Sequence, residues 1–227
     1  MILSLKKNDR LALALSLLTL FAILALLPTG VASGASAHPI LTITYSPNGH
    51  VGGTVSLSGA QFASASTITF SISGGTILTQ STCTTNSKGS FTGCTFVVPP
   101  DTAGPHTVTA TDTHSDGASA TFVVIPSLTI TSSTYGNVGS TVTLSGTGFA
   151  GTSPVTFYFD LFKTTGAPCS TLPTGSFTGC TLIVPPSVAG LHLVTGIDSH
   201  LNIALATFSV LPSLTITSSP IGIVGRL

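Results

Sequence analysis

Beyond residue 37, apolar and polar residues alternate with a period of two, and no apolar stripe of helical spacing occurs. Leu41, Ile43 and Tyr45 alternate with Thr, and Val55 with Leu57, then Ile68, Phe70 and Ile72, repeat the pattern. Each run predicts a strand with one face on a core and one in water, as in an antiparallel sheet. Ile77 to Cys83 and Phe91 to Val98 read as two more strands. They flank Asn86-Ser87-Lys88-Gly89, a turn cluster that predicts a hairpin with a cysteine on each arm. Val108 and Ala110 mark a sixth strand, and Ala118, Ala120, Phe122 and Val124 a seventh. Seven short strands with turns about every 8 to 12 residues predict an antiparallel β-sandwich.

The pattern then repeats. Leu41-Thr-Ile-Thr44 returns as Leu128-Thr-Ile-Thr131 and as Leu214-Thr-Ile-Thr217, and Cys83 and Cys94 recur as Cys169 and Cys180. A period of about 86 residues is long enough for each unit to bury its own core, unlike shorter repeats that need stacked neighbours. The second copy places strands at Val142 and Leu144, Val155 to Phe159, Phe177 to Val184, Leu193 to Ile197 and Ala204 to Val210, with Pro173-Thr174-Gly175 at the turn. The last strand of the first copy runs through Ile125-Pro126-Ser127 into the first strand of the second, a short proline-bearing joint that limits swing between the two. The expected boundaries are 39–126 and 127–212 for the two sandwiches, with 213–227 opening a third copy whose second strand lies beyond the sequence. A lone strand does not make a domain. Residues 213–227 read as the start of a longer repeat protein, or as a strand that adds to a sheet edge of another copy.

Composition sets the address. Lys6, Lys7 and Arg10 precede an apolar run from Leu11 to Leu27, followed by Pro28, Gly30 and Ala35-Ser36-Ala37. This is the layout of a secretory signal helix, residues 1–37, cut after Ala37, with an uncleaved membrane anchor as the alternative. After it, Lys88, Lys163 and Arg226 face five Asp, and Glu and Trp are absent, so the formal charge is about −2. No cationic cluster exists to hold nucleic acid. The apolar content of 42% is too high for a disordered chain.

Four cysteines suit an oxidising compartment. They permit three pairings, of which Cys83 with Cys94 and Cys169 with Cys180 lets each copy close by itself; buried free thiols are the alternative. A loop of this length is worth about 3 kcal/mol on the chain-entropy account.

Ser46-Pro47, Gly49, Gly52-Gly53-Thr54-Val55-Ser56-Leu57-Ser58-Gly59 and Phe62 resemble the opening of IPT/TIG-type bacterial immunoglobulin-like repeats. Gly136, Gly139, Thr141-Val142-Thr143-Leu144-Ser145-Gly146-Thr147-Gly148-Phe149 is the second instance, with Phe62 and Phe149 expected to plug one end of each sandwich. Gly89-Ser90-Phe91, Val98-Pro99-Pro100, Ala103-Gly104 and Val108-Thr109-Ala110-Thr111-Asp112 are also similar to repeats of secreted and surface proteins. The resemblance spans 39–212. It implies an all-β chain: two tandem immunoglobulin-like antiparallel sandwiches after a signal helix. It implies a secreted or cell-surface stalk, spacer or adhesion module rather than an enzyme. The alternative is a carbohydrate-binding or spacer region related to secreted hydrolases. The expected partner is a surface or extracellular protein or glycan, not nucleic acid, and the membrane is reached only through an uncleaved leader.

Candidate chemistry is sparse. His106 and His192 hold equivalent places at the corner before an alternating strand, where immunoglobulin folds often use a Tyr that bonds back to backbone; a structural corner is the expected role. Asp112 with His114, and Asp198 with His200, are weak metal candidates, because two ligands fall short of a usual zinc site. Asp112 to Gly117 begins like a calcium loop but has no closing Glu, and a hairpin turn between the last two strands is the expected reading. No Ser sits in a Gly-x-Ser-x-Gly elbow and no Glu is available for a glycosidase pair, so no catalytic residue and no cofactor is expected. Tyr158, between Phe157 and Phe159, must face away from both, which marks its strand as the first place to look for a ligand surface.

Overall fold

The computed structural model describes residues 38–73, 76–78 and 82–214. The expected leader and the expected third-copy start beyond residue 214 lie outside the described residues. Among the described residues there is no helix, and so none long and apolar enough to cross a membrane. The described residues form an all-β, immunoglobulin-like fold. Its strands form two sets, each a three-stranded sheet facing a larger one.

In the first set the alternating runs become β1 (Ile40–Tyr45), β2 (Asn48–Gly49), β3 (Thr54–Ala60), β4 (Thr67–Ile72), β5 (Thr76–Ile77), β6 (Cys83–Thr84), β7 (Phe91–Val97), β8 (Gly104–Thr111) and β9 (Gly117–Val124). One sheet has the order β1-β3-β7, and the other β2-β9-β8-β4-β5 with β6 also on β4. The second set matches it strand for strand: β10 (Ser127–Ile130), β11 (Tyr135–Gly136), β12 (Thr141–Thr147), β13 (Pro154–Phe159), β14 (Phe162–Lys163), β15 (Cys169–Ser170), β16 (Phe177–Ile183), β17 (Gly190–Asp198) and β18 (Ile203–Val210). Its sheets are β10-β12-β16 and β11-β18-β17-β13-β14, with β15 also on β13.

Period-two alternation puts Leu57, Ile68, Phe70, Phe96, Val108 and Phe122 between the first pair of sheets, and Leu144, Phe159, Leu182, Val194 and Phe208 between the second. Each of these buried Leu or Phe side chains is worth about 1.5–3 kcal/mol relative to exposure. Phe62 and Phe149 lie at equivalent places, each tilted against a ring of the facing strand, Phe91 and Phe177, at centroid distances of 5.7 and 5.5 Å.

Two features depart from the sequence expectation. The hairpin predicted across Asn86 to Gly89 does not form: β6 pairs with β4, while β7 pairs with β3 in the opposite sheet. The turn is a crossover between sheets. Asn86 Oδ1 accepts the backbone N–H groups of Lys88 and Ser90, and the Ser90 carbonyl accepts the Asn86 N–H, so the turn closes on itself without starting a ladder. Gly89 is left-handed at φ 70° and its carbonyl takes the Phe62 N–H; a Cβ there would collide with the Phe62 carbonyl. The crossover returns at Gly175 against Phe149. The second departure is Tyr45, which the alternation places on the core face with Leu41 and Ile43. The register shifts between Ile43 and Tyr45, Tyr45 is exposed, and the left-handed Ser46 (φ 54°) with Pro47 lifts the chain from β1 into β2, a short parallel partner of β9 in the other sheet.

Candidate functional site

Because the cysteine-bearing strands belong to opposite sheets, each disulfide crosses a core. Cys83 is joined to Cys94 and Cys169 to Cys180, with Cα atoms 5.8 and 5.7 Å apart. No described cysteine is free. Two inward-facing side chains on facing strands are brought to bonding distance by the sandwich itself, and the link closes the sheet edge formed by β6 or β15.

The corner histidines are buried with both ring nitrogens engaged. His106 Nε2 lies 2.7 Å from the Thr102 carbonyl, and its Nδ1 lies 3.0 Å from Ser73 Oγ and 3.1 Å from Asp101 Oδ2. His192 Nε2 lies 2.8 Å from the Val188 carbonyl and Nδ1 2.8 Å from Asp160 Oδ2, with the ring stacked on Phe159 at 4.9 Å. A neutral imidazole has one N–H for these two acceptors, and an imidazolium has two. The hydrogen bond to Asp160 accordingly raises the His192 pKa, burial opposes it, and the Val188 carbonyl and the Asp160 charge add to the rise. Asp160 also accepts the Leu193 N–H at 3.0 Å, which fixes the carboxylate in place.

Asp112 and Asp198 sit at the other end of the same strand pair. Asp112 is buried, and its carboxylate accepts the backbone N–H groups of Ala63 (2.8 Å), His114 (2.8 Å) and Asp116 (3.0 Å). Asp198 accepts those of Ala150 (2.7 Å), His200 (2.8 Å) and Asn202 (3.0 Å), and the Asn202 side-chain amide at 2.8 Å. Burial pushes both carboxyls up, but the donated hydrogen bonds outweigh it and hold both below the ordinary aspartate value. These carboxylates tie the strand turn to the loop after β3 or β12. The rings of His114 and His200 are exposed and turn to the hydroxyls of Thr113 and Ser199 rather than to the carboxylates. Among the described residues no group of three or more His, Cys or acidic side chains is gathered closely enough to hold a metal.

Sequence reasoning missed a hydroxyl network beside each Asp. Thr85 Oγ1 donates to the Ala63 carbonyl (2.6 Å) and accepts the Ser66 N–H (2.9 Å), while Ser66 Oγ meets Thr113 Oγ1 at 2.7 Å. Ser153, Thr171 and Ser199 repeat it in the second copy. Its one sequence signal is that Ser and Thr recur at equivalent places in both copies, which isolated hydroxyl residues in a Ser- and Thr-rich chain do not make conspicuous.

The two best-formed concavities are shallow. One, of about 280 Å³, lies beside the second disulfide and is lined by Val155, Phe157, Lys163, Ala167 and Cys169 among others; the other, of about 390 Å³, is lined by Val51, Leu78, Val97 and Pro99. Neither is lined by a carboxylate or an imidazole. What the arrangement does is mechanical: it pins loops, ties sheets and closes the joint between copies. At that joint His50 Nδ1 lies 3.0 Å from the Ile125 carbonyl, and the Ala103 N–H donates to the Phe149 carbonyl at 3.2 Å. Gly148 packs against the Ile125 carbonyl so closely that a Cβ would come within 2.9 Å.

No family model and no curated protein matches the chain by sequence. Some solved structures align with its fold. A tetra-tandem repeat from the extending region of a large adhesion protein is 20% identical, covers 76% of this chain and 49% of its own, and gives a TM-score of 0.35. The adhesin InvE of Yersinia pseudotuberculosis is 13% identical over 76% of this chain and 58% of its own, at 0.34. The glucan-locus protein SGBP-B of Bacteroides ovatus, solved with a mixed-linkage heptasaccharide, is 14% identical over 80% and 47%, at 0.31. The chain spans about half the length of these structures.

Proposed function

We propose that the chain is a non-catalytic extracellular or cell-surface protein in which two immunoglobulin-like repeats, 39–126 and 127–212, act as a stalk, spacer or adhesion module. The IPT/TIG-type motifs and a leader at 1–37 belong to the same proposal. The observation that carries it is the joint. Two residues, Ile125 and Pro126, separate β9 from β10, and the carbonyl of the first is covered by His50 and Gly148. A repeat held this closely to its neighbour transmits orientation, which a spacer needs and an independent binding bead does not. The crossing disulfides and buried carboxylate caps suit a module that survives outside the cell without chaperones. Paired fluorophores at the exposed residues Thr42 and Thr174, one in each repeat, test the reading by time-resolved energy transfer. One narrow distance distribution is expected, and a broad distribution typical of a flexible tether overturns it.

A further inference from the structure

The two repeats differ on one face. In the second, the outward positions of the larger sheet include Tyr135 on β11, Ile203 and Leu205 on β18, Leu191, Leu193 and Ile197 on β17, and Tyr158 on β13. Their equivalents in the first repeat are Asn48, Gly117, Ser119, Pro105, Thr107, Thr111 and Ser71. Two exchanges run the other way: Val123 for Ser209, and Ile77, opposite Ser71, for Lys163, opposite Tyr158. The register groups most of the apolar set: Ile197 lies opposite Ile203 and Leu205 lies diagonal to Leu193, with Thr207 opposite Leu193 and Thr195 standing between Leu205 and Tyr158. Leu191 is 74% exposed, Leu205 55% and Tyr135 60%. An apolar surface of this kind is costly in water and marks an interaction site.

The geometry points to a second copy of this chain as the occupant, packed sheet on sheet through this face of the second repeat. The inference stands on the face alone and not on the spacer reading. Three observations select that partner. No acidic or basic residue occupies an outward position on β13, β17 or β18, so the face offers nothing for a charged partner to complement. Across a two-fold axis each side chain meets its own counterpart or a close neighbour, where like charges repel and apolar groups do not. The nearest charged groups, Lys163 opposite Tyr158 and Asp160 in the turn before it, have opposite signs and lie at the rim. β11, β18, β17 and β13 hold two, eight, nine and six residues, and at about 3.4 Å per residue and about 4.8 Å between strands they offer about 400 Å². Two such faces bury about 800 Å², the size of a weak, reversible association rather than a permanent dimer.

The test uses the full oxidised chain. Sedimentation velocity across the micromolar range is expected to show a monomer–dimer equilibrium. Leu193→Thr together with Leu205→Ser, the residues that the first repeat carries at those places around an intact core, is expected to weaken the dimer by about 100-fold or more. The reciprocal Thr107→Leu with Ser119→Leu leaves association through the second repeat intact. A chain that stays monomeric at high micromolar concentration overturns the proposal, as does an association that survives the double substitution. Hydroxyl-radical footprinting of the unaltered chain tests the same face without relying on the variant's folding. Leu191, Leu193 and Leu205 become protected as concentration rises; unchanged labelling, or protection only when an oligosaccharide is added, overturns the proposal.

Discussion

Inside the two sandwiches the residues are nearly interchangeable, whereas outside they part. Phe70 and Phe157, Phe122 and Phe208, and Asp112 and Asp198 fill equivalent inward or capping places, yet Thr107 and Ser119 are replaced outside by Leu193 and Leu205. The corner histidine shows an intermediate case. In the first repeat the carboxylate that reaches Nδ1 is Asp101, from the loop before β8; in the second it is Asp160, from the turn after β13. The core keeps its aromatic filling while moving one ring across it, since Ile72 and Phe96 of the first repeat stand where the second has Phe159 and Leu182; the corner fixes only that an acceptor be present, and the outer face is free to vary until something binds it. Packing density explains the gradient, since a buried position is constrained on every side and an outward one only from below.

The comparison can be broken from the inside first. Gly89→Ala and Gly175→Ala each put a Cβ into a neighbouring carbonyl at a left-handed position, and each should destabilise its repeat by about 3–5 kcal/mol in chemical denaturation followed by circular dichroism. Clearly unequal losses would show that the two crossovers are not equivalent. Next come the disulfides. Replacing Cys83 and Cys94 together by Ala, or Cys169 and Cys180, should cost about 3 kcal/mol per repeat, read as a fall in the denaturant midpoint, because each closes a loop of the same separation of 11.

The carboxylate caps follow. Asp112→Ala and Asp198→Ala leave three backbone N–H groups without their acceptor and should each cost about 2 kcal/mol. Both carboxyls titrate below their unfolded value, so the stability they contribute is present above about pH 4 and is lost as pH falls through the folded pKa. Thermal melts between neutral and strongly acid pH should show this loss, and the Ala variants should flatten it.

The smallest effect sharpens the difference at the corner. His192 has a raised pKa, so its contribution is complete below the unfolded value of about 6.5 and fades as pH rises through the folded value. Asp160→Asn should remove this alkaline decline at a cost of about 1 kcal/mol or less, since Asp160 is 44% exposed and its pairing is screened. Asp160→Ser with Ser187→Asp copies the first repeat's arrangement and should recover most of that loss in urea titrations at pH 6.

Much of the interior was legible beforehand. The alternation of Leu41, Val55, Leu57, Ile68, Phe70, Val108 and Phe122 named a core that the sandwich buries. The hairpin reading of Asn86 to Gly89 failed because a turn sequence states that the chain reverses and not which sheet receives it. The Ser66–Thr85–Thr113 network was invisible because its members lie up to 47 positions apart and meet only after folding. The apolar outer face escaped for the same reason, since Leu191 to Ile197 and Ile203 to Leu205 read locally as ordinary half-buried strands.

By itself the amino-acid sequence determined the repeat, the strands and which side chains share a face of their own strand, because pleat periodicity and turn chemistry act over a few residues. Only the tertiary structure decided which strands pair, that β6 and β7 join opposite sheets through Cys83 and Cys94, and which apolar positions are left facing water. Those outcomes depend on pairing and packing between segments dozens of residues apart, where the free energy belongs to the assembled sheets rather than to any stretch of chain.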